Sequence, residues 1–210
     1  MEKGHKQYRT IVKDTILWRA QLGNDLHTVN AGKFKVQQPT PFSEKRMKPP
    51  KGRAKEGRAN PKGIPYLYAS DTKETAMAEV RPGLSMLISV AQLKTLQDLR
   101  IIDFVSENNF TLLEYYLKND PANIDKYIWS SIGESFSKPV NPSDDLAEYI
   151  PTQIITELFK NDGFDGLAYQ SSFGKGQNLL FYDINSVEIT DCTLFEVKKI
   201  SHEFKKAIIL

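Results

Sequence analysis

Cysteine is almost absent: Cys192 alone in 210 residues leaves no partner for an internal disulfide, which excludes a stapled secreted scaffold and suits a reducing cytoplasm. Histidine is nearly as scarce. His5, His27 and His202 lack a Cys or carboxylate at ligand spacing, so no metal site is expected. The longest apolar runs, such as Ser85–Val90 and Asn178–Tyr182, fall far short of the roughly 18 to 20 residues of a membrane helix. Met1–Arg9 carries charge with no apolar segment behind it, so no signal peptide is expected and a cytoplasmic location is. Walker and dinucleotide glycine motifs are missing, and there is no internal repeat. With 40 % hydrophobic and 26 % charged residues, what remains is ordinary globular usage over a length that suits one domain.

Net charge is +2, but residues 45–62 hold eight cations against Glu56, a local +7. The run contains Pro49-Pro50, Gly52 and Gly57 and no aromatic between Phe42 and Tyr66, so it reads as a loop rather than a recognition helix. A solvated basic loop, a site for a small phosphate ligand and a nucleic-acid contact all remain open for it.

Residues 15–19 read as a strand from their β-branched and aromatic content. Residues 22–65 are polar, rich in Gly and Pro and weakly periodic, which predicts one long loop. A short strand at 65–69 runs into a helix over 71–81, with Asp71 and Glu74 spaced as a capping box and Pro82 stopping it. Strands are expected at 84–90 and 99–104, and a mostly helical middle from about 108 to 137. A helix over 150–160 would put Ile154, Ile155, Leu158 and Phe159 on one side and end at Gly163, before strands near 165–169, 178–182 and 186–198. Strands and helices do not alternate regularly, so the expected class is α+β. The division is an N-terminal extension over 1–14, a single catalytic domain over 15–200 with a basic loop (22–65) and a helical insertion (105–150), and a tail over 201–210.

Three clusters could carry chemistry: Gly57-Arg58-Ala-Asn-Pro-Lys-Gly63 before a strand, Glu79 on the following helix, and Tyr169-Gln-Ser171-Ser172 before the turn Gly174-Lys-Gly176. Taken singly, each has an ordinary role: Arg58 as one more loop charge, Glu79 as a solvated carboxylate, the serines as turn formers, Gly174-Lys-Gly176 as a plain hairpin turn. Together, the run from Gly57 to Pro82, with Arg58, Tyr68 and Glu79 in order, resembles the RES-domain family, toxins named for an Arg, a Glu and a Ser. Phe164–Phe181 is similar to that family's C-terminal motif, and Leu17-Trp-Arg19 to its opening strand.

The resemblance implies an ADP-ribosyltransferase-like fold, a split mixed or antiparallel sheet with flanking helices, and cleavage of the nicotinamide–ribose bond of NAD⁺. It implies glycohydrolase or phosphorylase activity, the latter with inorganic phosphate as co-substrate. Protein mono-ADP-ribosylation is the alternative, and a basic nucleic-acid-binding module the rival from another class. No cofactor is implied beyond NAD⁺ as substrate, and the implied partner is a cognate Xre-like antitoxin, helical and DNA-binding. Carried over by motif, Arg58, Tyr68, Glu79 and Ser171 form the catalytic set, with Ser171-Ser172 leaving the register open. Arg19, Ser172, Asn178 and Tyr169 are substrate-binding candidates.

The residue types suit this chemistry. Nicotinamide leaves as a neutral molecule, so no general acid is needed and one carboxylate suffices, unlike ordinary glycoside hydrolysis. A carboxylate stabilises the cation developing on the ribose and can orient a nucleophile. Arginine forks match pyrophosphate oxygens, and a tyrosine ring can stack on nicotinamide.

Overall fold

A computed structural model describes residues 7–50, 52, 54–105, 123–139 and 146–201. Ten strands and four helices are found there: β1 (Tyr8–Ile11), β2 (Ile16–Leu22), β3 (Asp25–Ala31), β4 (Phe34–Thr40), α1 (Glu44–Met47), β5 (Leu67–Ser70), α2 (Lys73–Glu79), β6 (Leu87–Thr95), β7 (Leu99–Asp103), α3 (Asn123–Ser137), α4 (Ile150–Asn161), β8 (Gly166–Gln170), β9 (Gln177–Phe181) and β10 (Val187–Glu196). A 3₁₀ turn, Leu146–Tyr149, leads into α4.

Eight strands form one mixed sheet in the order β1-β7-β8-β9-β5-β2-β6-β10. Every neighbouring pair is antiparallel except β7 with β8. The sheet is nearly divided at its middle, where β2 and β5 are joined by the single pair Trp18↔Ser70, whereas β2 pairs with β6 from Ile16 to Leu22. The expected α+β class therefore holds. That gap lies beside Arg19, and it makes room for a pocket.

Both faces of the sheet are covered, so the central strands are apolar on both sides rather than alternating. Along β9, Leu179 and Phe181 join a core with Leu17, Met47, Leu67 and Leu93, while Leu180 between them joins Tyr66, Phe104, Phe136 and Leu167 on the opposite face. The second face is roofed by α3 and α4, whose Trp129 and Phe159 lie within 6.0 Å of Phe104 ring to ring. Gly166 permits the closest approach, since a Cβ there would lie 2.0 Å from the Leu180 carbonyl oxygen.

Several sequence expectations need correction. Residues 22–65 are not one loop: β3 and β4 form a hairpin about the Gly32-Lys33 turn, with Gly32 at φ 64°. The hairpin is exposed along most of both strands, so no buried face imprints an alternation on its sequence. The basic segment after it is anchored: Met47, Ala54, Ala59 and Asn60 are buried, Arg46 pairs with Asp25 and lies over Phe42, and Lys48 Nζ donates to the Val187 carbonyl. The N-terminal extension includes an edge strand, because Tyr8–Ile11 pairs with β7.

The N-cap of α2 is Thr72, whose Oγ1 accepts from Thr75 N–H, in place of Asp71; the Asp71 carboxylate instead accepts from Gln177 N–H. On α4, Ile155 and Phe159 pack inward as expected, but Ile154 and Leu158 are exposed, and Thr152, Gln153 and Thr156 take the buried positions. The reason is polar satisfaction. Thr152 Oγ1 donates to the Arg58 carbonyl and Gln153 Nε2 to those of Gly57 and Asn60, so this helix face caps the backbone of the 57–60 turn. Of the helical middle, 123–137 is helical as expected, and residues 106–122 lie outside the described residues.

Candidate active site

Beside the gap between β2 and β5 lies a pocket of about 200 Å³ walled by Arg19, Tyr68, Ser70, Glu79, Tyr169 and Asn178, with Ala20, Ala69, Ala76 and Val80. The six polar wall residues come from five elements, Tyr68 and Ser70 sharing β5. Glu79 is the last residue of α2, half-buried, and its Oε1 accepts from Ser171 Oγ at 2.5 Å and from Asn178 Nδ2 at 2.6 Å. Asn178 is itself oriented, since Ser70 Oγ donates to its Oδ1 at 2.8 Å from the neighbouring strand. Ser70, Ser171 and Asn178 are all buried. Both bonds converge on Oε1, and among the described residues none donates to Oε2, which is thus the oxygen available to a ligand.

Arg19 spans the strand gap. Its Nε donates to Met47 O and its Nη1 to Tyr68 O, both at 2.7 Å, so two backbone carbonyls fix the guanidinium while Nη2 remains for the pocket. Burial pushes its pKa down to about 10, which still leaves it a cation at neutral pH. Tyr68 is turned by its hydroxyl, which donates to Asn60 Oδ1 at 2.7 Å and accepts from Ala59 N–H. Burial raises the pKa of both Tyr68 and Tyr169, so both rings stay neutral phenols.

The Gly174-Lys-Gly176 turn is more than a hairpin. Ser171 Oγ accepts from the N–H of Phe173 and of Gly174, and Gly176 N–H donates to Thr75 Oγ1 on α2. A Cβ on Gly176 would lie 2.2 Å from Asp71 Oδ1, and one on Gly174 2.9 Å from the Thr75 Cα. Only glycine lets this turn press onto the first turn of α2, and that contact carries Ser171 to Glu79.

Of the residues expected from sequence, Arg19, Tyr68, Glu79, Tyr169 and Asn178 share the pocket, and Ser171 bonds its carboxylate. Arg58 stands outside the pocket walls: its Nη1 donates to Ser135 O at 2.8 Å, and its guanidinium lies 5.6 Å over the Tyr149 ring. It remains an electrostatic neighbour of Tyr68 and Tyr169, and its Nη2 is buried without a partner. Ser172 points away, donating to Ser137 O, so the serine that meets Glu79 is Ser171. The sequence reading missed Ser70 and Asn60. Asn60 lay inside a quoted motif, and its burial is the sign of work: its Nδ2 donates to the carbonyls of Lys55, Pro61 and Ile64 while its Oδ1 takes the Tyr68 hydroxyl.

Residues 16–196 match the family described as the RES domain. The chain belongs to the RES-domain family. The match begins at the first residue of β2 and closes at the last of β10, so the RES domain takes in the whole pocket and every strand of the large sheet except the edge strand β1. No curated protein matches the chain significantly. Among solved structures it is similar to the MbcT–MbcA toxin–antitoxin complex of M. tuberculosis, with a TM-score of 0.43 and 14 % identity over 90 % of this chain and 87 % of that one.

Proposed function

We propose that this RES-domain protein cleaves the nicotinamide–ribose bond of NAD⁺ and acts as the toxin of a toxin–antitoxin pair. The observation that carries the reading is the Glu79 carboxylate, held through Oε1 by Ser171 and Asn178 in a small pocket that also presents two neutral tyrosines and a fixed arginine. Family membership supports the same reading.

In the reaction, the bond between ribose C1′ and the nicotinamide nitrogen breaks and its electron pair stays with nicotinamide, which leaves neutral. Positive charge develops on C1′ and the ring oxygen. Glu79 supplies the opposing charge without reorganising, because its partners already hold it in place. Tyr68 or Tyr169 stacks on the pyridinium, favoured by its charge, and the outward nitrogen of Arg19 meets a phosphate oxygen. Arg58 acts from behind the rings by bracing the 57–60 turn. A water or a phosphate oxygen then adds to C1′, and the water's proton passes to Glu79. Transfer to a protein side chain uses the same cation.

The partner under this proposal is a cognate antitoxin of the Xre-like kind, and the setting is the cytoplasm; no helix among the described residues is long and apolar enough to cross a membrane. Incubating the purified protein with NAD⁺, with and without inorganic phosphate, and following free nicotinamide tests the reaction. Release in either buffer means hydrolysis, release only with phosphate means phosphorolysis, and release only with added protein means transfer. No release under any of these conditions refutes the proposal.

A further inference from the structure

Resting on that reading, the structure also bears on where the rest of the dinucleotide lies. At about 200 Å³ the pocket at Glu79 is smaller than the roughly 300–1,000 Å³ usual for a small-molecule site, so it takes the nicotinamide end, with the phosphates at its Arg19 wall, and leaves the adenosine outside. On another side of α2 a wider groove of about 570 Å³ runs between that helix and the glycine turn. Its main apolar wall is Phe173, 36 % exposed, and Asp71, Glu74, Thr75, Ala78 and Lys175 are among its other lining residues.

The groove is chemically unlike an anion site. Thr75 N–H already donates to Thr72 Oγ1, and the acidic Asp71 and Glu74 line the same wall. A flat, neutral heterocycle with an exocyclic amine suits an aromatic ring beside carboxylates. The connection to Glu79 is short and fixed: Ser171 Oγ donates to the Glu79 carboxylate and accepts from Phe173 N–H. Arg81, two residues beyond Glu79 and in the left-handed region at φ 47°, places its guanidinium 4.9 Å over the Phe173 ring. From Glu79 outward, the bonds through Ser171 thus lead to an exposed aromatic ring at the mouth of a groove lined by carboxylates.

The basic segment 45–62 is the competing location for this end. There Arg46 is engaged by Asp25, Lys48 by the Val187 carbonyl, and the preceding ring, Phe42, is 3 % exposed beneath Arg46. It has charge but no ring on which a base can stack.

We infer that the groove between α2 and the glycine turn binds the adenosine end of the dinucleotide, with adenine stacked on Phe173. Two measurements on the full chain decide it. Calorimetric titration with adenosine monophosphate is expected to show binding that Phe173→Ala weakens roughly fivefold or more, the low end for one stacked base, and that Phe173→Tyr restores. In the turnover assay, Phe173→Ala is expected to lower the ratio of kcat/KM for NAD⁺ to that for nicotinamide mononucleotide, which lacks adenosine, by a similar factor. Undiminished adenosine monophosphate binding by Phe173→Ala, or an unchanged ratio, overturns the subsite while leaving the reaction standing. Absence of nicotinamide release by the unmodified protein fails the reaction instead, and the titration still decides whether the groove takes an adenine nucleotide.

Discussion

Replacing Glu79 with Gln separates charge from shape at the centre of the site. The Gln carbonyl can accept the same two bonds that Ser171 Oγ and Asn178 Nδ2 now make to Oε1, so the local geometry survives and only the charge is removed. Glu79 forms no ion pair with a described residue, so no buried cation is stranded. Stability should therefore change by less than about 1 kcal/mol. The rate should not be spared. A carboxylate about 4 Å from a forming ribosyl cation is worth on the order of 4 kcal/mol at an effective dielectric near 20. Removing one preorganised stabiliser commonly costs roughly 10²- to 10³-fold, so the two estimates agree. Nicotinamide release at saturating NAD⁺ should thus fall at least about 100-fold, with an unchanged thermal transition and unchanged circular dichroism. Turnover within about tenfold of the unmodified protein would refute the argument, reducing Glu79 to a helix-end carboxylate held by its neighbours.

Asn178→Asp sets a second carboxylate against the Oε1 that Asn178 now touches at 2.6 Å; the pair will retain a proton, so the acidic limb of the pH–rate profile should move to higher pH, and an unmoved limb counts against the clamp. Arg19→Lys cannot serve both the Met47 and the Tyr68 carbonyls, and leaving one unpaired should cost about 1–3 kcal/mol, a fall of several degrees in Tm by calorimetry. Because the Arg19 pKa is lowered to about 10, its proton leaves above that pH, so NAD⁺ affinity should decline as pH rises through it; in Arg19→Lys the decline should begin at lower pH, and coincident profiles would argue against Arg19 as the anion contact. Gly176→Ala drives a Cβ against Asp71 and Thr75, so it should lift the turn, withdraw Ser171 from Glu79 and lower kcat more than KM; normal turnover would show that the turn does not position Ser171.

The central strands and α2 were legible because each carries its own local signal: β-branched and aromatic residues in β2, consecutive apolar residues in β9, and an apolar face closed by Pro82 in α2. The β3–β4 hairpin was not, because a ribbon exposed along most of both strands has no buried side to impose period two. On α4 the periodicity pointed the wrong way for half its apolar residues, since the helix turns Thr152 and Gln153 inward to satisfy carbonyls of the 57–60 turn. No local pattern announces a partner more than ninety positions away.

The sequence by itself determined the kinds of group available and their order: an arginine after Leu17-Trp18, a turn rich in Gly and Asn, a carboxylate at a helix end, and a Ser-Ser pair before a glycine turn. Only the tertiary structure decided which of them meet. Arg19 rather than Arg58 walls the pocket because β2 and β5 separate after one residue pair, and a guanidinium fills the opening they leave. Ser171 rather than Ser172 reaches Glu79 because two glycines let their turn press onto α2. Ser70 enters because strand pairing sets it opposite Asn178, a register fixed by hydrogen bonds between segments more than a hundred residues apart, and composition and spacing do not encode it.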